Sequence, residues 1–297
     1  MVNLVKKRKI TLMGGDARML WLARGLRQQG YPVRLAALQP TAELAGDLPR
    51  PEDPKEAMRD AEIVIFGIPT LERGDFLRAP TVSREYRWEA CLDLLPENAM
   101  VFAGGIPAER LQQAGERGIT VCDLLMRPEL AELNAIATAE GAVAIAMKEM
   151  SATLFDARCM VIGYGRCGSA LARRLAALGA HVTATARRRE QLARIYADGF
   201  TPCLTARLGE KLSDCEVVFN TVPAEVLTRE LLESLPDGAI LIELASAPGG
   251  IDRAAAAELG IKCIAAPGLP GKVAPRTAGE HLQRVILDLL QEREDSI

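Results

Sequence analysis

The 297-residue sequence is poor in aromatic residues and has almost no excess charge. Aromatic residues make up 4% of the chain, and the net charge at pH 7 is −3. Proteins that bind nucleic acids usually carry a strong basic excess, and those that bind single strands stack the bases on aromatic rings. The composition therefore argues against a nucleic-acid-binding protein.

The sequence also lacks paired cysteines and metal-ligand spacing. It has two histidines and seven cysteines, and no two cysteines form a C-x-x-C pair. We therefore predict no metal site. The odd number of cysteines, several of them inside apolar runs, favours a cytoplasmic protein with reduced, packed thiols. No uncharged apolar run reaches the roughly 18 residues of a membrane helix, so we expect no membrane segment.

What the sequence does contain is two successive series of short apolar runs that alternate with helical patterns. Such alternation is typical of βαβ units on parallel sheets. The first series opens at Ile10–Met13 and the second at residues 159–162. We predict an α/β protein with two Rossmann-like or flavodoxin-like parallel-sheet domains, of which the first is flavodoxin-like.

Two helical segments complete the predicted organisation. Residues 134–150 are apolar almost all round, which indicates a buried helix between the domains. Apolar residues at 282, 285, 286, 289 and 290 have the spacing of an amphipathic helix, which we expect to pack back on the first domain. The predicted units are a substrate-side domain at 1–133, an interdomain helix at 134–150, a nucleotide-binding domain at 151–275 and a C-terminal helix at 276–297.

The second series carries a glycine-rich loop between an apolar strand and an amphipathic helix. In this context the G-x-G-x-x-G spacing is typical of a dinucleotide-binding turn. The first glycine makes the turn, the second lets the backbone approach the pyrophosphate, and the third lets the helix pack close to the strand. A tight strand–helix turn without a ligand is the alternative. The predicted cofactor-binding residues here are Gly163, Tyr164, Gly165, Arg166, Cys167 and Gly168.

The end of the following strand indicates which dinucleotide binds. Enzymes that use NAD usually place Asp or Glu there, where the carboxylate binds the 2′-hydroxyl of the ribose. This chain has Arg187 and Arg188 instead, and no carboxylate before Glu190. Arginine forms strong charge-assisted bonds with a phosphate. We therefore predict NADP, with a solvated basic helix start as the alternative.

Three later turns of the second series follow predicted strands. In open α/β sheets, ligands sit at the carboxyl ends of the strands, so we expect these turns to line the cofactor groove. Each turn alone is equally typical of a plain connection. The residues are Asn220, Thr221, Val222 and Pro223 in the first turn, Leu244, Ala245 and Ser246 in the second, and Gly268, Leu269 and Pro270 in the third.

Taken in order, these motifs resemble those of the family of dipicolinate synthase A subunits from spore-forming bacteria. The resemblance rests on the glycine loops at 14–18 and 163–168, on the segments 179–180 and 186–187, and on the turns at 220–223, 244–250 and 266–271. It extends over nearly the whole chain. One departure is Ala247, because members of the family often carry arginine after the serine at 246.

The resemblance implies an activity and its partners. It implies an NADP-dependent oxidoreductase that acts on a CH–CH group of dihydrodipicolinate, together with a flavoprotein, the B subunit of dipicolinate synthase. It also implies a place in the mother-cell cytoplasm during sporulation. An Ala-rich chain with a buried interdomain helix is compatible with a homodimer. The alternatives are an NADP-dependent two-domain dehydrogenase of another small carboxylate, and a non-catalytic NADP-binding module that steers a partner.

A dicarboxylate substrate needs arginine for its carboxylates and a group that accepts a proton. Arg18, in the loop after the first strand, is the main substrate-binding candidate, with an ion pair to Asp16 as the alternative. Ser246 and Arg276 are further substrate-binding candidates. Asp16 and Glu140 are the candidate catalytic proton acceptors. A carboxylate in the apolar helix that carries Glu140 must be paired or have a raised pKa, and an arginine partner is the alternative role.

The segment 69–87 is long and rich in arginine. It contains Arg73, Arg78, Arg84 and Arg87. We interpret it as a solvated loop, with a lid or a partner surface as the alternatives.

Overall fold

The computed structural model describes residues 7–294, so that residues 1–6 and 295–297 of the predicted units lie outside the described residues. The chain divides into two compact units. The first combines the residues up to Leu133 with those from Ala274 onward, and the second is Asn134–Val273. The first unit therefore consists of two segments that are far apart in the sequence.

The first unit contains a parallel sheet, a short hairpin and several helices. Its apolar strands are buried along most of their length, because helices cover a parallel sheet on both faces. In chain order the elements are β1 (Ile10–Met13), α1 (Ala17–Gln28), β2 (Val33–Ala36), α2 (Pro54–Met58), β3 (Ile63–Phe66), β4 (Leu71–Glu72), β5 (Phe76–Leu77), α3 (Trp88–Leu92), β6 (Met100–Ala103), α4 (Ala108–Glu116), β7 (Val121–Asp123), the first turns of α5 (Pro128–Glu149), and α12 (Pro275–Glu294).

The sheet of the first unit has the strand order β2-β1-β3-β6-β7, and every pair in it is parallel. The antiparallel hairpin β4–β5 is separate from this sheet. With the hairpin set aside, the order is that of flavodoxin-like folds. The carboxyl ends of β1 and β3 lie side by side, since Met13 pairs with Phe66.

The second unit is a six-stranded parallel sheet flanked by helices. The strand order is β10-β9-β8-β11-β12-β13, which is the Rossmann order. The predicted α/β class with two parallel-sheet domains is confirmed. In chain order the elements are β8 (Arg158–Ile162), α6 (Arg166–Ala177), β9 (His181–Ala186), α7 (Arg189–Ala197), β10 (Thr201–Leu204), α8 (Gly209–Leu212), β11 (Val217–Asn220), α9 (Arg229–Leu232), β12 (Ile240–Glu243), α10 (Arg253–Glu258), β13 (Lys262–Ala265) and α11 (Leu269–Val273).

Helix α5 starts earlier than predicted and is buried on one side. It begins at Pro128 rather than at residue 134. Ala135, Ala139, Ala142 and Ala146 lie in the core of the second unit. The side chain of Met147 is 60% exposed, which corrects the expectation of burial on every side. By length and composition alone α5 is able to cross a membrane, but a core helix of this kind passes the same test.

None of the seven cysteines, all of which lie within residues 7–294, forms a disulfide. Burial raises the pKa of the Cys91 thiol to about 12 and that of Cys159 to about 12 as well. These buried thiols are therefore poor nucleophiles at neutral pH and serve as packing groups.

Helices α1 and α12 pack closely because glycine stands at their contact. A Cβ on Gly279 would lie 2.6 Å from the carbonyl oxygen of Arg18 and 2.7 Å from Cβ of Trp21. Both contacts are shorter than non-bonded atoms allow. A side chain at position 279 would therefore force the two helices apart.

We expect the substitution Gly279→Ala to lower the free energy of unfolding by about 2 kcal/mol, the usual cost of overpacking a core contact. Urea denaturation followed by circular dichroism measures this change. The matched control is Gly115→Ala in α4, where a Cβ would meet no atom within 4 Å. That variant should gain up to about 1 kcal/mol from its higher helix propensity. Equal stability of the two variants would contradict the close contact.

Candidate functional site

The glycine-rich loop after β8 needs glycine at two positions, at Gly163 for its backbone conformation and at Gly168 for lack of space. Gly163 has a φ of +92°, and a Cβ there would lie 2.5 Å from Oγ1 of Thr221. A Cβ on Gly168 would lie 2.0 Å from the carbonyl oxygen of Gly163. The loop is therefore folded back against the start of α6 and against the turn after β11.

The remaining glycine of this loop faces open space. A Cβ on Gly165 would meet no atom of the protein within 4 Å. Gly165 is also the N-cap of α6, and no side chain caps this helix. An uncapped helix start next to an open glycine fits the pyrophosphate of a dinucleotide, which accepts hydrogen bonds from the backbone and is attracted by the helix dipole.

The side chain of Tyr164 belongs to the protein interior. It is 4% exposed, its hydroxyl donates to Oδ2 of Asp198, and its ring packs edge-on against Phe200. Burial, together with this hydrogen bond, raises the pKa of Tyr164. The predicted contact of Tyr164 with the cofactor therefore concerns its backbone, and it stays a prediction.

Arg187 and Arg188 stand where β9 ends and α7 begins. Both side chains are exposed. In the described part of the chain neither forms an ion pair with a carboxylate. Two arginines without acidic partners at the end of the second strand of a Rossmann sheet are suited to binding an anion.

A buried carboxylate that sequence reasoning missed holds two of the predicted turns. Glu243 ends β12, is 6% exposed, and accepts a hydrogen bond from Nδ2 of Asn220 at 2.8 Å. Its oxygens also accept from the backbone N–H groups of Ala245, Gly250 and Ile251 at 3.1, 2.8 and 3.2 Å. Glu243 therefore ties the turn after β12 to the end of β11.

Asn220 is likewise a structural residue. Its side chain is fully buried, donates to the carbonyl oxygen of Val222 and accepts from the N–H of Val222. Because its amide is bound within the turn, Asn220 holds the shape of the predicted cofactor-lining turn, and its own contact with the cofactor stays a prediction. Thr221 donates to the carbonyl oxygen of Ile162 at 2.8 Å and fixes the same turn to β8. Pro223 is exposed.

The turn after β12 leaves its tip accessible. Leu244 and Ala245 are partly buried and Ser246 is exposed. The hydroxyl of Ser246 bonds to none of the described residues, while its carbonyl oxygen accepts from the N–H of Gly249 at 2.9 Å. The structure thus places Ser246 at the carboxyl edge of the sheet, with its hydroxyl available to a ligand.

The third predicted turn is the start of a short helix. Leu269 and Pro270 begin α11 and are buried, and a Cβ on Gly141 of α5 would lie 3.2 Å from Cβ of Leu269. Their side chains are core residues, so a contact with the cofactor would involve their backbone, and the predicted contact stays a prediction. Gly268, with a φ of +68°, is the exposed member of this turn.

Two candidate residues lie on the protein surface. The side chain of Glu140 is 60% exposed and pairs with Nη2 of Arg174 at 3.2 Å, because it lies outside the buried alanine face of α5. This corrects the expectation of a carboxylate in apolar surroundings. Arg276 is 67% exposed, pairs with Glu280 at 2.9 Å and lies over the ring of Trp21. These contacts give Arg276 the role of a surface residue at the start of α12.

In the first unit, Asp16 and Arg18 form a buried ion pair after β1. Oδ1 of Asp16 accepts from Nε of Arg18 at 2.9 Å, and Oδ2 accepts from Nη2 at 2.8 Å. Oδ1 also accepts from the backbone N–H of Arg18, which makes Asp16 the N-cap of α1. The guanidinium of Arg18, whose side chain is 7% exposed, also donates to the carbonyl oxygen of Ile68.

A second arginine reaches the same carboxylate from the predicted loop 69–87. Nη1 of Arg78 donates to Oδ2 of Asp16 at 2.8 Å. Burial raises the pKa of Asp16, but the hydrogen bonds and charges of Arg18 and Arg78 outweigh it and lower the pKa below its usual value. A carboxylate with a lowered pKa is a weak base. The structure shows the alternative given for Arg18, an ion pair with Asp16, and this pairing argues against Asp16 as proton acceptor and against Arg18 as substrate ligand.

The segment 69–87 contains a short hairpin, and only part of it is the solvated loop that we expected. It contains β4 and β5, and Leu77 and Ala79 are buried. Thr70 is also buried and exchanges hydrogen bonds with Gly104 at the end of β6. The segment is therefore anchored to the carboxyl edge of the sheet.

Family models match both units. A model described as the N-terminal domain of the dipicolinate synthase A subunit matches residues 9–125. A model described as the NAD binding domain of D-isomer specific 2-hydroxyacid dehydrogenases matches residues 131–259. The second match covers the glycine-rich loop and the Glu243 turn.

Characterised relatives extend over the whole chain. The dipicolinate synthase A subunit of Bacillus subtilis is 32% identical over 286 residues, which is 96% of each chain. The crystal structure of the A subunit from Bacillus subtilis has a TM-score of 0.86 at 31% identity and covers 99% of both chains. The corresponding structure from Bacillus halodurans has a TM-score of 0.85 at 31% identity and covers 95% of this chain and 97% of that one.

Proposed function

Because the chain belongs to the family of dipicolinate synthase A subunits, we propose that it oxidises dihydrodipicolinate to dipicolinate with NADP as the oxidant. The chain is an oxidoreductase with a nicotinamide-dinucleotide-binding domain. The observation that carries the choice of substrate is the identity of 32% across 96% of both chains. The reaction removes two hydrogens from the ring, one as a hydride and one as a proton.

A bound nicotinamide dinucleotide supplies the hydride acceptor, and the residues of the second unit fit it. The open side of Gly165 and the uncapped start of α6 would hold the pyrophosphate. The turns that Glu243 and Asn220 hold would border the nicotinamide, since they lie at the carboxyl ends of the central strands. The exposed hydroxyl of Ser246 is available for a hydrogen bond there.

The choice of NADP over NAD rests on the end of β9. Arg187 and Arg188 replace the carboxylate that would bind the 2′-hydroxyl of NAD, and they are free of acidic partners within residues 7–294. A 2′-phosphate would receive charge-assisted hydrogen bonds from them.

The substitution Arg187→Ala should weaken NADP binding by roughly 10-fold or more and leave NAD binding unchanged, because it removes hydrogen bonds to a charged group. Fluorescence titration with each dinucleotide measures both affinities. The control is Arg194→Ala, an exposed arginine further along α7, which should change neither. Equal weakening in the two variants would contradict a specific 2′-phosphate contact.

The remaining parts of the proposal come from the family resemblance. The chain would act with the flavoprotein B subunit in the mother-cell cytoplasm, and a homodimer is the proposed assembly.

The decisive assay measures dipicolinate by terbium luminescence, with dihydrodipicolinate generated in place by its synthase. The purified chain is added with NADP, with NAD and with neither, and then with the flavoprotein. NADP-dependent acceleration over spontaneous oxidation supports the proposal, and no acceleration under any condition overturns it.

A dehydrogenase of a 2-hydroxy acid is the competing function, because the second unit matches the NAD binding domain of that group. Such enzymes usually need a histidine as acid–base catalyst. His181 begins β9 at the amino edge of the sheet and pairs with Asp156 at 2.7 Å. His281 lies within α12. Neither histidine therefore favours a 2-hydroxy-acid dehydrogenase.

A non-catalytic NADP-binding module is the other alternative, and turnover by the isolated chain would exclude it.

A further inference from the structure

We propose that Arg78 binds a carboxylate of the substrate, and that Asp16 and Arg18 are positioning residues that hold it. This inference rests on the proposed function, which gives the substrate two carboxylates. It assigns the substrate contact to an arginine that lies 62 residues from Asp16 in the sequence.

The three charged groups differ in what they can still bind. Arg18 has a nearly buried guanidinium that is bound to both oxygens of Asp16 and to the carbonyl oxygen of Ile68. The side chain of Arg78 is 25% exposed. Only its Nη1 bonds to a neighbour among residues 7–294, so that Nε and Nη2 remain for a ligand. Arg78 is thus the member of the cluster that can bind an anion.

The net charge of the cluster favours an anion. Asp16 carries one negative charge, and the two arginines carry one positive charge each. Because the pKa of Asp16 is lowered, this carboxylate stays ionised at neutral pH and Arg78 remains anchored. One positive charge is left over, and it is carried at the partly exposed end of the cluster.

The backbone of Arg78 is fixed at the carboxyl edge of the sheet. Its N–H donates to the carbonyl oxygen of Thr70 at 2.8 Å, and its carbonyl oxygen accepts from the N–H of Gly15 at 2.7 Å. Gly15 has a φ of +91° and approaches Gly67 so closely that a Cβ on Gly67 would lie 2.4 Å from Cα of Gly15. The loops after β1 and β3 therefore form one rigid support for Arg78.

Such a support matters because a preorganised guanidinium loses little freedom when it binds. The carboxyl edge is also where open α/β sheets bind their ligands. A planar guanidinium with two free donors matches the two oxygens of a carboxylate, which a lysine ammonium cannot match in the same way. The geometry thus fits one carboxylate of a small dicarboxylate substrate.

The test compares the variants Arg78→Gln and Arg78→Lys with Arg73→Gln. Arg73 lies on the same hairpin, is 72% exposed and pairs with Glu85, so its variant controls for lost charge. Three quantities are measured: KM for dihydrodipicolinate with the dinucleotide that the wild type uses, the affinity for that dinucleotide, and the unfolding temperature.

For Arg78→Gln we expect KM to rise at least about 10-fold, because hydrogen bonds to a charged group are lost. The KM of Arg78→Lys should rise less, and the KM of Arg73→Gln should match that of the wild type. Dinucleotide affinity should stay unchanged in all three, while the unfolding temperature of Arg78→Gln should fall because its ion pair with Asp16 is lost. An unchanged KM in Arg78→Gln overturns the inference. A joint loss of dinucleotide affinity also overturns it, since the role of Arg78 is then structural.

Calorimetric titration with the product dipicolinate separates this inference from the proposed function. A wild type that turns over dihydrodipicolinate, with KM independent of Arg78, supports the function and rejects the inference. A wild type that binds dipicolinate through Arg78 without turnover rejects the function and supports the carboxylate site. A wild type that neither turns over the substrate nor binds the product rejects both.

Discussion

Replacing Gly168 by alanine is expected to abolish nucleotide binding and to destabilise the second unit. The new Cβ would lie 2.0 Å from the carbonyl oxygen of Gly163, which is a backbone atom that cannot turn aside. Either the loop or α6 must therefore move. Overpacking of this kind costs about 1–3 kcal/mol, and the moved loop no longer presents its backbone to a pyrophosphate. Fluorescence titration should show an affinity for NADP at least about 100-fold lower, which corresponds to about 2.7 kcal/mol.

The matched control is Gly165→Ala in the same loop. A Cβ there meets no protein atom within 4 Å, so the unfolding temperature should not change. Nucleotide affinity should still fall, because the methyl group occupies the space of the pyrophosphate. If Gly168→Ala kept both its stability and its affinity, the close packing of the loop would be refuted. If Gly165→Ala bound NADP normally, the pyrophosphate would not pass over this glycine.

Removing the carboxylate of Glu243 is expected to have the second large effect. The variant Glu243→Ala removes one of the two acceptors of Nδ2 of Asn220 and leaves the backbone N–H groups of Gly250 and Ile251 without an acceptor. Hydrogen bonds to a charged group contribute about 1.5–3 kcal/mol each, and buried donors without partners add to the loss. Because such losses are not additive, we expect a decrease of about 3 kcal/mol or more in the free energy of unfolding.

Denaturation in urea, monitored by circular dichroism, measures this decrease. Glu243→Gln keeps the shape and one acceptor oxygen and should lose about half as much stability. The surface control is Glu258→Ala, whose side chain is 63% exposed and pairs with Arg229. That variant should change stability by less than about 1 kcal/mol. A Glu243→Ala protein as stable as the surface control would show that the turn after β12 does not depend on Glu243.

Sequence patterns predicted most strands because a buried parallel strand is a continuous apolar run. The apolar run at residues 10–13, predicted to open the first series, forms β1 with the same bounds, and the apolar runs at 181–186 and 217–220 form β9 and β11. Strand β10 was missed because its second residue is Pro202, which suggests a turn. The proline is tolerated since β10 is an edge strand that pairs only with β9.

The glycine positions of the site were predictable because local backbone geometry and packing require glycine there. Gly163 and Gly168 have local steric reasons that a short motif records. Side-chain partners were not predictable in the same way. Glu243 appears in the sequence as the end of an apolar strand, and its partner Asn220 lies 23 residues away. Arg18, two residues from Asp16, was predicted to bind substrate. The short hairpin that places Arg78 next to Asp16 has no recognisable sequence pattern.

Because α12 belongs to the first unit, the two units are completed at different points of the sequence. The second unit is one continuous stretch, 134–273, whereas the first unit is complete only with α12, which follows the second unit in the sequence. Until α12 is made, α1 lacks its partner, so that Leu22 and Leu26 are without Leu282 and Ile286, which share their core. Because domains fold as units when all their parts have emerged, the domain that is translated first is the one that is finished last.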